Sequence, residues 1–212
     1  MWTSSKMTMA KESRPVLITG GAGFIGSHLA ESLCEMCLSV RVLDDLSTGK
    51  RENLAHVMDR IEFVHGSILD DGLLRASALG CECIFHLAAI VSVPRSILEP
   101  MSVHQVNTTG TLNVLEVARH ERCRVVISSS AAVYGPTHGA IQSEDEPLCP
   151  ISPYGIQKLA GEMYLRSYHR LHGVEGFALR YFNVYGPRQD PTSPYSGVIS
   201  IFSDRVDRKS VV

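Results

Sequence analysis

Short apolar runs alternate along this chain with longer segments in which apolar residues recur at helical spacing. The short runs predict six buried strands, at 15–20, 39–45, 61–67, 83–89, 124–130 and 176–183. The longer segments predict helices at 24–36, 50–57, 69–79, 101–120 and 152–172. Strands that are apolar on both faces are typical of parallel sheets covered by helices on either side. The pattern therefore predicts an α/β fold with a doubly wound parallel sheet.

The end of the chain departs from this alternation. Residues 186–197 are rich in Pro, Ser and Gly and predict a loop that leaves the sheet. Beyond that loop, the apolar residues between 198 and 206 predict one further helix with an apolar face.

The composition and charge argue against a nucleic-acid-binding or membrane-spanning protein. Of the 212 residues 44% are hydrophobic and 20% are charged, and the formal net charge is −2, which provides no basic footprint for nucleic acid. No apolar run reaches the roughly eighteen residues of a membrane span, and the N-terminal residues lack the apolar core of a signal peptide. Together with six scattered cysteines, these features predict a cytoplasmic protein.

Two close cysteine pairs, Cys34/Cys37 and Cys81/Cys83, raise the question of a zinc site. Both pairs fall in or beside predicted helices and strands, and no histidine pair at ligand spacing accompanies them. We therefore expect buried, unreactive thiols and no bound metal.

A glycine-rich turn joins the first predicted strand to the first helix. Gly20, Gly23 and Gly26 are spaced as G-x-x-G-x-x-G. In such a turn the first glycine permits the tight bend, the second lets a diphosphate approach the backbone, and the third lets helix pack on strand. The N–H groups and dipole of the helix N-terminus favour the anion. This placement predicts a dinucleotide site.

The second strand indicates which dinucleotide is bound. Asp44 ends that strand, where a carboxylate accepts hydrogen bonds from the adenosine ribose and repels a 2′-phosphate. This favours NAD over NADP. Lys50 and Arg51 lie a few residues further on, and because a cation near the ribose can bind a 2′-phosphate, NADP is kept as an alternative.

A second polar motif is formed by Tyr154 and Lys158 in "SPYGIQK". Any two residues four apart on a helix are neighbours, so the spacing alone does not establish a function. However, a lysine ammonium beside a tyrosine favours the phenolate and lowers a pKa that is ordinarily near 10. Ser130, which ends the fifth predicted strand, is placed to bind the same substrate oxygen. We interpret these three residues as a proton-transfer group.

The motifs occur in a characteristic order: the glycine turn, Asp44, "FHLAA", "NTTGT", "SSSAAVYG", "SPYGIQK" and "LRYFNVYGPRQ". In this order the chain resembles extended short-chain dehydrogenase/reductases of the NAD-dependent epimerase/dehydratase family. Among them it is most similar to UDP-glucose and UDP-N-acetylglucosamine 4-epimerases. The resemblance runs from about residue 15 to about 204. It implies a Rossmann domain for NAD at 15–185 and, at 186–212, the start of a substrate-binding lobe whose remainder is truncated.

The resemblance also implies roles for individual residues. Tyr154, Lys158 and Ser130 would be catalytic. The cofactor would contact Gly20, Gly23, Phe24, Ile25, Gly26, Asp44, Asp45, Ser47, Thr48, Gly49, Ser67, Ile68, Leu87, Ala88, Ala89, Asn107, Tyr154, Lys158 and Tyr181. The UDP-sugar would contact Ser92, Ser130, Asn183 and Val198. Relatives form homodimers through two helices per subunit, here those near 100–120 and 153–172.

The expected reaction is epimerisation at C4 of a UDP-hexose through a transient 4-keto sugar. Related 4,6-dehydratases carry an acid pair just after the fifth strand, where this chain has Ala131 and Ala132. A nucleotide-sugar dehydrogenase or reductase, or an inactive NAD-binding fragment, remains as an alternative.

Ser67 replaces an aspartate that in the family usually binds the adenine amino group. We expect His86 to be a packed strand residue.

Overall fold

The computed structural model describes residues 14–136 and 141–190 of the chain. Within them, six strands form one sheet: β1 (Val16–Thr19), β2 (Val40–Asp44), β3 (Ile61–His65), β4 (Cys83–His86), β5 (Arg124–Ser130) and β6 (Gly176–Tyr181). All neighbouring strands are parallel, in the order β3-β2-β1-β4-β5-β6. The order reverses between β1 and β4, which is the Rossmann arrangement. The predicted doubly wound parallel sheet is thereby confirmed.

The helices cover both faces of this sheet. They are α1 (Phe24–Glu35), α2 (Asp71–Ala78), α3 (Val93–Leu98), α4 (Pro100–His104), α5 (Gly110–Glu121) and α6 (Pro153–His172), with short 3₁₀ helices at Arg51–Leu54 and Ala131–Val133. Side chains of α2, α5 and α6 form one apolar cluster with the sheet, and those of α1 and the first 3₁₀ helix form another. The sheet is therefore the middle layer of three.

Alternation along the strands divides the core between these two clusters. In β1, Leu17 packs toward α2 and α5, whereas Val16 and Ile18 pack toward α1. All three are at most 2% exposed. Because both faces of the strand are buried, it has the continuous apolar sequence from which it was predicted.

Some local structure differs from the sequence prediction. The helix expected at 50–57 is a 3₁₀ turn at Arg51–Leu54, and the helix expected at 101–120 is a continuous run that contains a π-helical segment at Gln105–Thr109. Helix α3 was not predicted at all. The helix expected at 198–206 lies outside the described residues. In the part of the chain that is described, no helix combines the length and the apolar character that crossing a membrane requires.

Candidate active site

The turn between β1 and α1 requires glycine at two of the three predicted positions. Gly20 has φ of 72°, and a Cβ there would lie 2.6 Å from the backbone nitrogen of Ala88. A Cβ on Gly26 would lie 2.3 Å from the carbonyl oxygen of Gly20. At Gly23, among the described residues, a Cβ would meet a single atom, the same carbonyl at 3.3 Å. The turn is thus closely packed at its two ends and open in the middle.

Helix α1 begins with Phe24 and Ile25 directly after this open position, and it has no acidic residue in its first turn. The first N–H groups of a helix have no partner within the helix, and the helix dipole adds positive potential there. The backbone at Gly23 and the start of α1 therefore fit a diphosphate.

Asp44 connects this turn to the loop that follows β2. One carboxylate oxygen accepts a hydrogen bond from the backbone N–H of Ala22 at 2.9 Å, and the other accepts one from Leu46 at 2.8 Å. Burial raises the pKa of Asp44, and the two N–H groups counteract that rise. A Cβ on Gly49 would lie 2.8 Å from the Asp44 carboxylate, so the loop packs closely here. Each carboxylate oxygen retains a lone pair for a ribose hydroxyl.

The other residues predicted in this loop lie further out. Asp45, Ser47 and Thr48 are exposed, and the Asp45 carboxylate accepts a hydrogen bond from the Ser47 N–H at 2.9 Å. They border the position at which Asp44 would hold a ribose.

Lys50 and Arg51, the two cations that kept NADP as an alternative, both contact other residues. Lys50 Nζ lies 3.0 Å from a carboxylate oxygen of Asp190. The guanidinium of Arg51 lies over the ring of Phe63, 5.2 Å from its centroid. A 2′-phosphate near Asp44 would therefore meet a carboxylate while both cations have other partners, which favours NAD.

Further predicted cofactor contacts lie at the ends of β3 and β4. The backbone N–H of Leu87 donates to the Thr19 carbonyl oxygen at 3.0 Å, and that of Ala88 donates to the Thr19 hydroxyl at 3.4 Å. These bonds place the segment beside Gly20, and it continues into half-buried Ala89. After β3, the Ser67 hydroxyl accepts a hydrogen bond from the N–H of Leu69 at 3.2 Å. The side chain of Ile68 is 4% exposed and packs in the core, which leaves it little surface for a ligand.

Asn107 lies in the π-helical segment, a feature that is frequent at functional sites. Its amide nitrogen donates to the carbonyl of Ile90 at 3.1 Å and to Gln157 at 3.2 Å, while its oxygen accepts from the Ile90 N–H at 2.8 Å. Asn107 thereby ties the segment after β4 to α6. In this structure its amide is bonded to protein groups, so it positions the backbone next to the predicted cofactor site.

The start of α6 brings Tyr154 to the end of β5. Ser152 caps the helix by accepting a hydrogen bond from the Gly155 N–H at 3.1 Å, and Pro153 follows in the first turn. A Cβ on Gly155 would lie 2.6 Å from the carbonyl oxygen of Ala132, so glycine is required for this close approach. The Tyr154 phenol consequently lies close enough to Ser130 for that residue to lower its pKa.

Lys158 lies one helical turn beyond Tyr154 and is 8% exposed. Its Nζ donates a hydrogen bond to the carbonyl oxygen of Ser128 at 2.9 Å and lies 5.8 Å from the centroid of the Tyr154 ring. Tyr154, Lys158 and Ser130 therefore meet at the carboxyl end of β5. Tyr181, also predicted here, is half-buried and pairs with Ser130 across the sheet.

The electrostatics of this group differ from the sequence expectation. Burial raises the pKa of Tyr154, and its hydrogen bond with Ser130 lowers that pKa to a smaller extent. Burial lowers the pKa of Lys158 to about 8. The protein by itself therefore does not favour the phenolate. A further positive charge at the site is needed to bring the Tyr154 pKa down.

His86 is a packed strand residue, as expected. It is 2% exposed, its Nδ1 lies 2.8 Å from the Thr19 hydroxyl oxygen, and its Nε2 lies 2.9 Å from that of Thr111. The Thr111 hydroxyl donates to the Asn107 carbonyl, so it must accept from His86 Nε2–H. Burial lowers the pKa of His86 to about 3, with a contribution from the charge of Lys158. His86 is therefore neutral and serves to join β1, β4 and α5.

The predicted substrate contacts are dispersed. Ser92 is buried, and its hydroxyl accepts a hydrogen bond from the Arg95 N–H at 2.9 Å as the N-cap of α3. Asn183 is exposed in the segment after β6. Val198 lies outside the described residues. A cap followed by Pro94 is a helix-start signal, and it would have revealed α3 from the sequence.

A buried ion pair beneath the site was not anticipated. Arg180 on β6 donates to the Glu162 carboxylate at 2.8 and 3.0 Å, and Ser129 donates to the same carboxylate. Arg180 also donates to the Tyr134 hydroxyl at 2.9 Å and lies 4.9 Å from the centroid of its ring. Glu162 follows Lys158 by one turn of α6. The pair therefore fixes α6 against β5 and β6 just below the candidate catalytic residues.

Comparison with known proteins identifies the family. Residues 16–212 match the family model described as NAD dependent epimerase/dehydratase family. The chain belongs to this family. It is 45% identical over 193 residues to the UDP-glucose 4-epimerase of Mycolicibacterium smegmatis, a match that covers 89% of this chain and 61% of that protein.

Solved structures agree with this assignment. The UDP-N-acetylglucosamine 4-epimerase from Methanobrevibacter ruminantium M1, solved with UDP-N-acetylmuramic acid, has a TM-score of 0.88 and 38% identity, over 93% of this chain and 64% of its own. The dTDP-glucose 4,6-dehydratase DesIV from Streptomyces venezuelae, solved with NAD bound, has a TM-score of 0.84 and 36% identity, over 93% and 63%. The chain thus spans about three fifths of the length of the relatives that it matches.

Proposed function

We propose that this chain binds NAD and epimerises a UDP-hexose at C4. The observation that carries the proposal is the grouping of Tyr154, Ser130 and Lys158 at the carboxyl end of β5. Two strand spacings, roughly 10 Å, separate β5 from β1 and its glycine turn, a distance that one dinucleotide spans. The open backbone at Gly23 and the carboxylate of Asp44 fit the diphosphate and the ribose.

In the proposed mechanism, Tyr154 removes the proton of the C4 hydroxyl while Ser130 holds the same oxygen. Bound NAD supplies the hydride acceptor at C4, and its positive nicotinamide adds the charge that favours the phenolate. The Ser128 carbonyl holds the Lys158 ammonium 5.8 Å from the centroid of the Tyr154 ring, where in this proposal it stabilises the negative charge. Tyr154 would then give its proton back to the C4 oxygen when the 4-keto sugar is reduced on its other face, which yields the epimer.

The residues next to Ser130 argue against dehydration. Ala131 and Ala132 begin the 3₁₀ helix after β5 and hold the places of the acid pair expected in 4,6-dehydratases. Methyl groups transfer no protons, so elimination of water across C5 and C6 has no catalyst there. This supports epimerisation over the reaction of the dehydratase relative.

Substrate recognition is proposed from three positions. Asn183, exposed after β6, binds the diphosphate of the UDP-sugar, Ser92 lies near the hexose, and Val198 adds a contact from the segment beyond residue 190. Nucleotide binding keeps the 4-keto sugar attached while it rotates. Residues 15–185 form the NAD-binding domain in this proposal, and 186–212 begin the substrate lobe.

We infer that the protein is a cytoplasmic homodimer of nucleotide-sugar and polysaccharide metabolism. Ile156, Met163 and Leu171 are exposed apolar residues along one side of α6, and Met101 is exposed on α4. An exposed apolar stripe of this kind suits a helix–helix interface between two copies. Sedimentation equilibrium at neutral pH tests this, since a dimer has twice the 23.2 kDa mass of the chain.

The function is tested by purifying the chain, measuring its bound NAD, and incubating it with a panel of UDP-hexoses. Proton NMR identifies the products, and absorbance at 340 nm detects any NADH released. We expect bound NAD, appearance of the C4 epimer and no net NADH. Stoichiometric NADH release would instead identify a dehydrogenase, and bound NAD without turnover would identify a binding fragment. Tyr154→Phe is the matched inactive control.

A further inference from the structure

The segment that follows β6, residues 182–190, runs back across the sheet to α1; we call it the strap. Gly186 lies against the ring of Phe24, the first residue of α1, since a Cβ on Gly186 would be 3.5 Å from that ring. Three strand spacings, about 14 Å, separate β6 from β1. Five residues reach about 17 Å when extended. Residues 182–186 therefore cross from the end of β6 toward the start of α1 on the side of the sheet where the strands have their carboxyl ends.

The end of the strap is held by the first two turns of α1. Arg188 donates to the Glu31 carboxylate and, at 3.4 Å, to the Ser27 hydroxyl. His28 Nε2 lies 2.9 Å from the Pro187 carbonyl oxygen and must donate to it. His56, beyond the 3₁₀ helix, lies 3.1 Å from Glu31. Together these contacts fasten the strap to α1.

A second attachment lies at the other side of the glycine turn. Asp190 pairs with Lys50 at 3.0 Å, and Lys50 follows Gly49, whose backbone packs against Asp44. The strap thus extends from the end of β6, beside Ser130, past the start of α1 to the loop beside Asp44. This path covers the carboxyl edge between the catalytic group and the ribose position, where ligands of doubly wound sheets bind.

The Arg188 pair is the stronger of the two attachments. The side chains of Arg188 and Glu31 are 21% and 29% exposed, against 58% and 40% for Lys50 and Asp190. Arg188 has φ of 66°, a left-handed conformation that a non-glycine residue keeps only where its surroundings hold it. The hydrogen bond from Arg188 lowers the pKa of Glu31, so this carboxylate is charged at neutral pH.

We propose that the strap closes over the bound dinucleotide and that the Arg188–Glu31 pair sets the rate at which the dinucleotide leaves. The inference rests on the proposed function, since an epimerase must keep its cofactor through the reaction. Neither residue of the pair is among the candidate catalytic or binding residues, so the pair can be removed without changing that site.

Dissociation of NADH tests this inference without requiring turnover. The chain is loaded with NADH, mixed with excess NAD⁺ in a stopped-flow instrument, and NADH fluorescence is followed. Arg188→Ala, Glu31→Gln and the double variant are compared with Arg75→Ala, which removes an exposed pair with Asp71 on α2. Thermal unfolding of each variant without dinucleotide measures any effect on the fold alone.

We expect both single variants to release NADH roughly fivefold faster or more, as loss of a partly buried ion pair allows. The double variant should release it no faster than either single variant, and Arg75→Ala should keep the original rate. If Arg188→Ala and Glu31→Gln release NADH at the original rate, with or without lower thermal stability, the proposed role of the strap in holding the dinucleotide would be overturned. If Arg188→Ala does not fold, Glu31→Gln decides alone. Failure of the unmodified chain to bind NADH would overturn the proposed function and the strap with it.

Discussion

Replacement of Lys158 by Met tests the electrostatics of the candidate site independently of any substrate. Lys158 is 8% exposed, and burial lowers its pKa to about 8 from an ordinary 10.5. Since the folded pKa is below the unfolded one, the unfolded chain binds more protons between these values. The stability of the unmodified protein therefore rises as the pH increases through this range. Met at this position has no charge to titrate.

The size of the effect follows from the two pKa values. A tenfold change in a proton-binding constant corresponds to about 1.4 kcal/mol, so burial of the charged form of Lys158 costs about 3 kcal/mol below pH 8. Only part of the titration lies in an accessible range. Between pH 7 and pH 9, the free energy of unfolding of Lys158→Met relative to the unmodified chain should fall by about 1 kcal/mol.

Urea denaturation of the dinucleotide-free protein at pH 7, 8 and 9 measures this difference. Lys50→Met serves as the control, because the Lys50 side chain is 58% exposed. The effect on the free energy of unfolding should change more with pH for Lys158→Met than for Lys50→Met. A Lys158→Met difference that stays constant from pH 7 to 9 would refute the assignment of Lys158 as a buried amine with a lowered pKa.

Three further substitutions test separate parts of the site. Tyr154→Phe should reduce turnover by about 10³-fold while NADH, followed by fluorescence titration, still binds. A variant that keeps most of its rate would remove Tyr154 from the mechanism. Arg180→Met leaves the Glu162 carboxylate buried without its partner, so it should lower the free energy of unfolding by about 3 kcal/mol. The double variant that also carries Glu162→Gln should recover part of that free energy. A loss below about 1 kcal/mol would contradict the buried pair. Gly26→Ala places a Cβ against the Gly20 carbonyl, so it should weaken NADH binding and destabilise the fold by about 2 kcal/mol in urea; unchanged binding would show that the turn tolerates the contact.

The sheet could be predicted from the sequence because its strands are buried on both faces. A short, continuous apolar run such as Val16–Thr19 is typical of a buried strand when helical segments follow at regular intervals. The π-helical segment at Gln105–Thr109 could not be found in this way. Its hydrogen bonds span one residue more than those of an α-helix, and it lies inside a single continuous helical run from Pro100 to Glu121.

The candidate site was predictable where function depends on local spacing. The glycine turn and the Tyr154–Lys158 pair each lie within one short segment, so a sequence motif records them. The Glu162–Arg180 pair and the contact between Arg188 and Glu31 join residues that are far apart in sequence. No spacing rule connects such residues, and only the packing of α6 on β6, or of the strap on α1, brings them together. The raised pKa of Tyr154 is likewise a consequence of burial, which arises only from packing and is not recorded in a sequence motif.

Isotope labelling tests the central claim most directly. UDP-glucose carrying deuterium at C4 is incubated with the NAD-loaded chain, and the UDP-sugars are examined by NMR and mass spectrometry. If the hydride leaves C4 for the held cofactor and returns to the same carbon, the product is UDP-galactose that retains deuterium at C4, with no NADH released. An epimer that has lost its deuterium to solvent, or an oxidised sugar formed with an equivalent of NADH, would contradict the proposed reaction.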